Sequence, residues 1–189
     1  MCFLFLIKDM NFISKVFIIS FLLLASGNLL AKHIVGGVMS YQCLGNNNYR
    51  FTLKVYRDCD PKAGGAGFDA PATLGVYKCG NTINCTSLTQ KSAFKKPNID
   101  FGDKANILPP VYPCLKVPPV VCVEEAIYEF TLNLPLSENS YHVVYQRCCR
   151  NNTITNIIVP QDSGATYEIE LTPEAQKVCN ISAVFGNFP

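Results

Sequence analysis

Cysteine constrains this sequence more than any other residue type. Ten are present: Cys2 lies in an apolar N-terminal segment, and Cys43, Cys59, Cys79, Cys85, Cys114, Cys122, Cys148, Cys149 and Cys179 are spread over the remainder. That density behind an export signal implies an oxidising compartment and structural disulfides. Zinc, the competing use, needs close pairs such as C-x2-C with further Cys or His ligands. Here five residues separate Cys79 from Cys85, seven separate Cys114 from Cys122, and the two histidines, His33 and His142, are far apart. Neither a metal nor a cofactor is expected.

The export signal is residues 1–31. Val16 to Leu24 is a run of nine residues broken only by Ser20, preceded by Lys15 and followed by Ala25-Ser26-Gly27-Asn28. This is the layout of a secretory signal peptide cleaved after Ala31, with Met10 as an alternative start. The run falls short of the roughly 20 residues that span a bilayer. Leu24 to Gly27 has the shape of a lipoprotein cleavage box, but Asn28 stands where a lipid-bearing cysteine is required. The mature chain is therefore expected to be secreted, to the periplasm or the extracellular cell surface, without a stable membrane anchor. Beyond residue 31 about 44% of residues are apolar, an ordinary value for a globular domain. The net charge of +2 gives no electrostatic reason to expect nucleic acid as a partner.

Alternation of period two dominates the chain beyond the signal. Tyr49, Phe51, Leu53 and Val55 alternate with polar residues, as do Ala126 to Leu134, Tyr141 to Tyr145 and Ala165 to Leu171. Each reads as a half-buried strand. Ile34 to Leu44 is another, with Gly36 and Gly37 marking a bulge, and Gly45-Asn46-Asn47-Asn48 supplies a hairpin turn. Weaker strands are expected at Thr73 to Lys78, Ser87 to Ala93 and Thr153 to Val159, and a single helical turn at Pro173 to Lys177. The expected fold is all-β, an antiparallel, immunoglobulin-like sandwich of seven or eight strands stapled by disulfides, although the chain has no tryptophan. The expected domains are the signal peptide (1–31), the sandwich (33–178) and the start of a linker (179–189).

On this scaffold Cys79 pairs most simply with Cys85, and Cys114 with Cys122. Adjacent residues on a strand point to opposite faces, so Cys148 and Cys149 are expected to reach two distant partners, with Cys43 and Cys59 available. Such bridges would close loops of roughly 90 to 105 residues, each worth on the order of 4 kcal/mol. A bridge between the two neighbours is the alternative. Cys179 is then the unpaired candidate, a thiol that is free, pairs between molecules or awaits a partner outside the chain.

Catalytic chemistry has little to work with. The sequence contains no G-x-S-x-G elbow, P-loop, H-E-x-x-H or dinucleotide fingerprint, so a non-enzymatic role is expected. His142 lies between two residues of an apolar face and should point outward. Glu124 and Glu125 are adjacent and should diverge. Asp58, Asp60 and Asp69 flank a glycine-rich loop and offer oxygen ligands for calcium, but in no recognised loop pattern. Arg57, Arg147 and Arg150 each lie near a cysteine, and the long-range bridges, if they form as proposed, gather them at one end of the sandwich in ion pairs, an anion or glycan site being the other reading. Lys91, Lys95 and Lys96 form a small basic cluster. Asn84, Asn151 and Asn180 begin N-glycosylation triplets. Tyr56, Tyr77 and Tyr112 would form a stacking platform if the chain were a carbohydrate-binding module.

Residues 33–59 (HIVGGVMSYQCLGNNNYRFTLKVYRDC), 117–135 (VPPVVCVEEAIYEFTLNLP), 141–157 (YHVVYQRCCRNNTITNI) and 179–189 (CNISAVFGNFP) together resemble the N-terminal region of large Bacteroidetes surface proteins. These are the gliding motility-associated, type IX secretion substrates, and the resemblance spans nearly the whole mature chain. It implies a non-enzymatic structural or adhesion module at the N-terminus of a cell-surface protein, followed in the family by PKD or cadherin-like sandwich repeats and a sorting domain. Its partner would be an unknown surface glycan or protein. Because the sequence stops at Phe188-Pro189, the resemblance implies a truncated frame, with the partner of Cys179 in the missing part.

Overall fold

The computed structural model describes residues 34–60, 67–80, 95–107, 122–151 and 154–183, all within one compact unit. Eight strands appear among them: β1 (Ile34–Gly45), β2 (Asn48–Asp58), β3 (Ala72–Cys79), β4 (Asn98–Ile99), β5 (Asp103–Ile107), β6 (Val123–Asn133), β7 (Ser140–Arg147) and β8 (Ala165–Leu171). They form two four-stranded sheets, β1-β2-β6-β5 and β4-β3-β7-β8, whose ladders are antiparallel. Taken in chain order, this is the immunoglobulin arrangement of strands A-B-E-D against C′-C-F-G.

Alternation decides which face goes inward. Tyr49, Phe51, Leu53 and Val55 on β2 meet Ala126, Tyr128, Phe130 and Leu132 on β6, and all are buried. From the facing sheet Leu74, Val76, Tyr141, Val143 and Tyr145 complete the core. Rings fill much of the space between the sheets: Phe51 stacks on Phe130 with centroids 5.4 Å apart, and Tyr128 approaches Tyr145 at 6.4 Å. Tyr141 opens β7, and its hydroxyl donates to the Pro135 carbonyl at 2.8 Å. This is the tyrosine corner of immunoglobulin-type sandwiches, in which an inter-sheet cysteine follows two residues later. Val143 holds that position here, fully buried, so apolar packing replaces the central disulfide.

The β1–β2 turn forms as the sequence predicts, with Asn46 at φ 51° and Asn47 at φ 61°, the positive angles that a tight two-residue hairpin requires. A register shift between Ile34 and Gly36 marks the expected bulge. The short helix α1 (Pro173–Lys177) is capped by Thr172, whose hydroxyl accepts from Ala175 N at 3.2 Å. Thr153 to Val159 is not a strand over its described part: Val159 adopts φ 52° and leads into a 3-10 turn at Pro160–Asp162. Proline there removes a ladder donor. The Ser87 to Ala93 prediction lies outside the described residues.

The disulfides differ from those expected. Cys43 bonds Cys179, Cys59 bonds Cys122, and Cys148 bonds its neighbour Cys149. Cys59 continues the β2–β6 ladder opposite Cys122, its amide donating to the Cys122 carbonyl at 3.0 Å, a long-range pairing that local spacing conceals. The opposite-faces argument for Cys148 and Cys149 fails because β7 ends at Arg147 and Cys149 has φ 98°, well away from extended backbone. Cys179 is not left over. Behind α1 the chain returns along β1, where Ile181 bridges Gln42 and Ser182 N donates to the Tyr41 carbonyl at 3.0 Å. The folded unit thus runs through Ser182, past the expected boundary at 178. Cys79 is disulfide-bonded as well; Cys85 and Cys114 lie outside the described residues.

Candidate functional site

Chemistry-bearing side chains gather at the end of the sandwich where β2 and β7 finish and β6 and β8 begin. Arg57, Arg147 and Arg150 all lie there, as the sequence predicts, although the bridges thought to bring them together do not form. Strand pairing does it instead. Arg57 faces Glu124 in the β2–β6 ladder, its Nε donating to Glu124 Oε2 at 2.6 Å, and Lys104 Nζ reaches the other carboxylate oxygen at 3.0 Å. Burial pushes the Glu124 carboxyl upward, but the hydrogen bonds from Lys104 and Arg57 outweigh it and hold the group below its ordinary value. The guanidinium of Arg57 also sits 5.2 Å from the Phe68 ring centroid, a cation–π contact.

Asp69 is the hub of the opposite side of this corner. It accepts from Tyr145 Oη at 2.6 Å through Oδ2, and Arg147 Nη2 lies 3.5 Å from Oδ1. Its backbone carbonyl accepts from Tyr128 Oη at 2.8 Å, and Arg147 also donates to the Gly67 carbonyl. Burial is the main reason the Tyr128 phenol is pushed up to about 12, with the Asp69 charge adding to it. Tyr145 moves further in the same direction, through burial and its bond to Asp69. Both phenols are therefore neutral donors below pH 10, and their hydrogen bonds fix Asp69 just ahead of β3. Among the described residues, the buried Arg147 Nη1 has no hydrogen-bond partner.

Arg150 turns away from both clusters. Its Nε donates to the Gly164 carbonyl at 2.9 Å, its backbone amide to Pro160 and Ser163, and Asn151 N to the Ile34 carbonyl at 3.4 Å. Asn151 is buried, and its side-chain amide donates to Asp58 Oδ2 at 3.0 Å, which leaves it unsuited to carry a glycan. Asp58 Oδ1 accepts from Asp60 N at 2.9 Å. Of the aspartates considered for calcium, Asp58 is taken up by Asn151 and the Asp60 amide and Asp69 by Tyr145 and Arg147, and among the described residues no group of three His, Cys, Asp or Glu side chains has metal-binding geometry.

The remaining candidates are dispersed. Glu125 diverges from Glu124 as predicted, pairing with Lys54 at 3.4 Å and bonding Tyr56, whose phenol is pushed up to about 12 chiefly by burial. His142 lies on the outer face of the second sheet and contacts Glu168, with Glu170 at 3.9 Å. Both partners are carboxylates of β8, so the ring joins two neighbouring strands across the sheet surface. Tyr56 and Tyr77 sit on different sheets, and Tyr77 is buried, so these two do not share a stacking platform; Tyr112 lies outside the described residues. Lys95 Nζ donates to the Asn133 carbonyl at 2.8 Å and Lys96 is exposed, while Lys91 and Asn84 lie outside the described residues. Asn180 is exposed. No helix among the described residues is long and apolar enough to cross a membrane.

The Asp69 hub is not legible in the sequence. Asp69 reads there only as a loop carboxylate, and the two tyrosines that bind it come from different sheets. Compared with protein-family models, with curated proteins and with solved structures, the chain matches none.

Proposed function

We infer that the chain is a non-enzymatic structural and adhesion module, secreted to the periplasm or the extracellular cell surface. It forms the N-terminal part of a surface protein of the gliding motility-associated, type IX-exported kind. The observation that carries this reading is the way the corner side chains are used. Arg57, Arg147, Asp58, Asp69 and Glu124 bind one another or the backbone, as in a framework. Disulfides at both ends of the sandwich suit a domain that works in an oxidising compartment.

The test combines location with binding. In the producing bacterium an antibody-detected chain should be cleaved by protease added to intact cells if it lies on the surface, or only after the outer membrane is opened if it is periplasmic, and deleting its gene should weaken attachment to a surface. Calorimetric titration of the purified mature domain with a glycan panel should give flat traces. A chain found reduced in the cytoplasm would overturn the export reading. Saturable heats with one glycan would replace adhesion in general with carbohydrate binding.

A further inference from the structure

We propose that the Cys148–Cys149 bridge is a reduction site for a dithiol reductant, opening before Cys43–Cys179 and Cys59–Cys122 and releasing the chain segment it holds. This inference stands independently of the adhesion reading. It begins with what each bridge joins. Cys59 and Cys122 remain side by side in the ladder whether bonded or not, because the Cys59 amide donates to the Cys122 carbonyl. Cys43 packs against the core, and the segment behind Cys179 is fastened to β1 by Ser182, which donates to and accepts from Tyr41. In both, opened thiols stay close and the bond reforms readily.

The neighbouring pair is different. The eight-membered ring spans only two residues and crosslinks no distant segments. Cys149 has φ 98°, a backbone conformation that L side chains rarely adopt. Once the ring opens, Cys149 is free to become extended, and adjacent side chains on extended backbone diverge. The effective concentration of one thiol at the other then falls, which disfavours closure. Cys148 is exposed and Cys149 half-buried, as Cys179 is exposed and Cys43 half-buried, so exposure selects Cys148 as the residue attacked within its own pair, and the backbone at Cys149 is what ranks the two bridges.

The chemistry is thiol–disulfide exchange. A thiolate of the dithiol attacks Cys148 Sγ; the Sγ–Sγ bond breaks and its electron pair leaves on Cys149 Sγ, which takes up a proton. The reductant's second thiol then attacks its own sulfur in the mixed disulfide, releasing Cys148 as a thiol. Two electrons and two protons pass to the pair, and the dithiol becomes a disulfide.

The two residues after the ring give the reduction its structural effect. Arg150 N bonds Pro160 and Ser163, Arg150 Nε bonds Gly164, and Asn151 bonds Ile34 and Asp58. These bonds tie the start of β1, the end of β2 and the 3-10 turn together. Relaxing φ at Cys149 redirects the chain into Arg150 and Asn151, so that clamp loosens while the core strands stay paired.

The experiment titrates the mature chain with dithiothreitol, traps thiols with iodoacetamide under native conditions, and maps the alkylated peptides. In parallel, amide exchange is followed at Arg150 and Asn151. Cys148 and Cys149 should be alkylated before any of Cys43, Cys179, Cys59 or Cys122, and protection at Arg150 and Asn151 should fall at least about tenfold while Phe51 and Phe130 keep theirs. The variant Cys148→Ser/Cys149→Ser should show the same local loss without reductant. Prior opening of Cys43–Cys179 or Cys59–Cys122 would overturn the proposal, as would an opened pair with unchanged protection at Arg150 and Asn151. The wild-type titration decides the matter even if the variant does not fold.

Discussion

Replacing Tyr145 with Phe removes one oxygen atom from the corner and leaves the ring that packs against Tyr128 and Tyr167 in place. Tyr145 is 1% exposed, and its hydroxyl has the charged partner Asp69 Oδ2 at 2.6 Å. Hydrogen bonds to charged groups contribute about 1.5–3 kcal/mol. Asp69 keeps Arg147 as a neighbour, and its side chain is 37% exposed, so water can replace the lost donor and the expected cost lies near about 1.5 kcal/mol. Tyr128→Phe and Tyr141→Phe each lose a bond to a neutral carbonyl, for which about 1 kcal/mol is expected. The assay is urea unfolding of the oxidised domain, followed by far-ultraviolet dichroism because the chain has no tryptophan. The m value should stay constant, since exposed area on unfolding barely changes. A Tyr145→Phe domain within about 0.5 kcal/mol of wild type, well below the range for a charged partner, would refute the assignment of Asp69 as the hub. So would Tyr128→Phe costing more than Tyr145→Phe.

Removing Cys43 and Cys179 together should cost about 5 kcal/mol and removing Cys59 and Cys122 about 4, because the first closes the longer loop in the chain-entropy treatment; thermal midpoints of the two double Ala variants should fall in that order. Glu124 is held below its unfolded value near 4.5, so its contribution is present above that pH and lost as pH falls through the lowered folded value. Glu124→Gln should flatten that part of the acid limb in unfolding measured from pH 5 downward. Tyr128 and Tyr56 are raised to about 12 from 10.0, so their contribution is complete below pH 10 and declines as pH rises toward 12. Phenolate absorbance should lose a component that ionises near pH 12 when Tyr128 or Tyr56 is replaced by Phe.

Period-two alternation located β2, β6, β7 and β8 because each buries one face against the same core, and the turn asparagines located the hairpin. The edge strands β4 and β5 escaped, since all five residues of β5 are exposed and no apolar alternation marks them. At the corner, the divergence of Glu124 from Glu125 came from strand periodicity, whereas the three arginines were expected together through bridges that do not form. The partner of each arginine has no such signal, because it depends on which strands become neighbours. The same reason explains the cysteines. Local spacing says nothing of Cys59 lying beside Cys122 across the β2–β6 ladder, and the strand argument for Cys148 and Cys149 holds only while the backbone stays extended. Cys179 reads as unpaired because the return of the chain along β1 has no local signature.

The central claim is a sandwich closed at its two ends by specific long-range bridges, with a ring at the end of β7. Non-reducing peptide mapping of the oxidised protein tests it most directly. The expected map has one linked pair of peptides carrying Cys43 and Cys179, one carrying Cys59 and Cys122, and a Cys148–Cys149 bridge confined to a single peptide. A crosslink from Cys148 or Cys149 to Cys43 or Cys59 would contradict it.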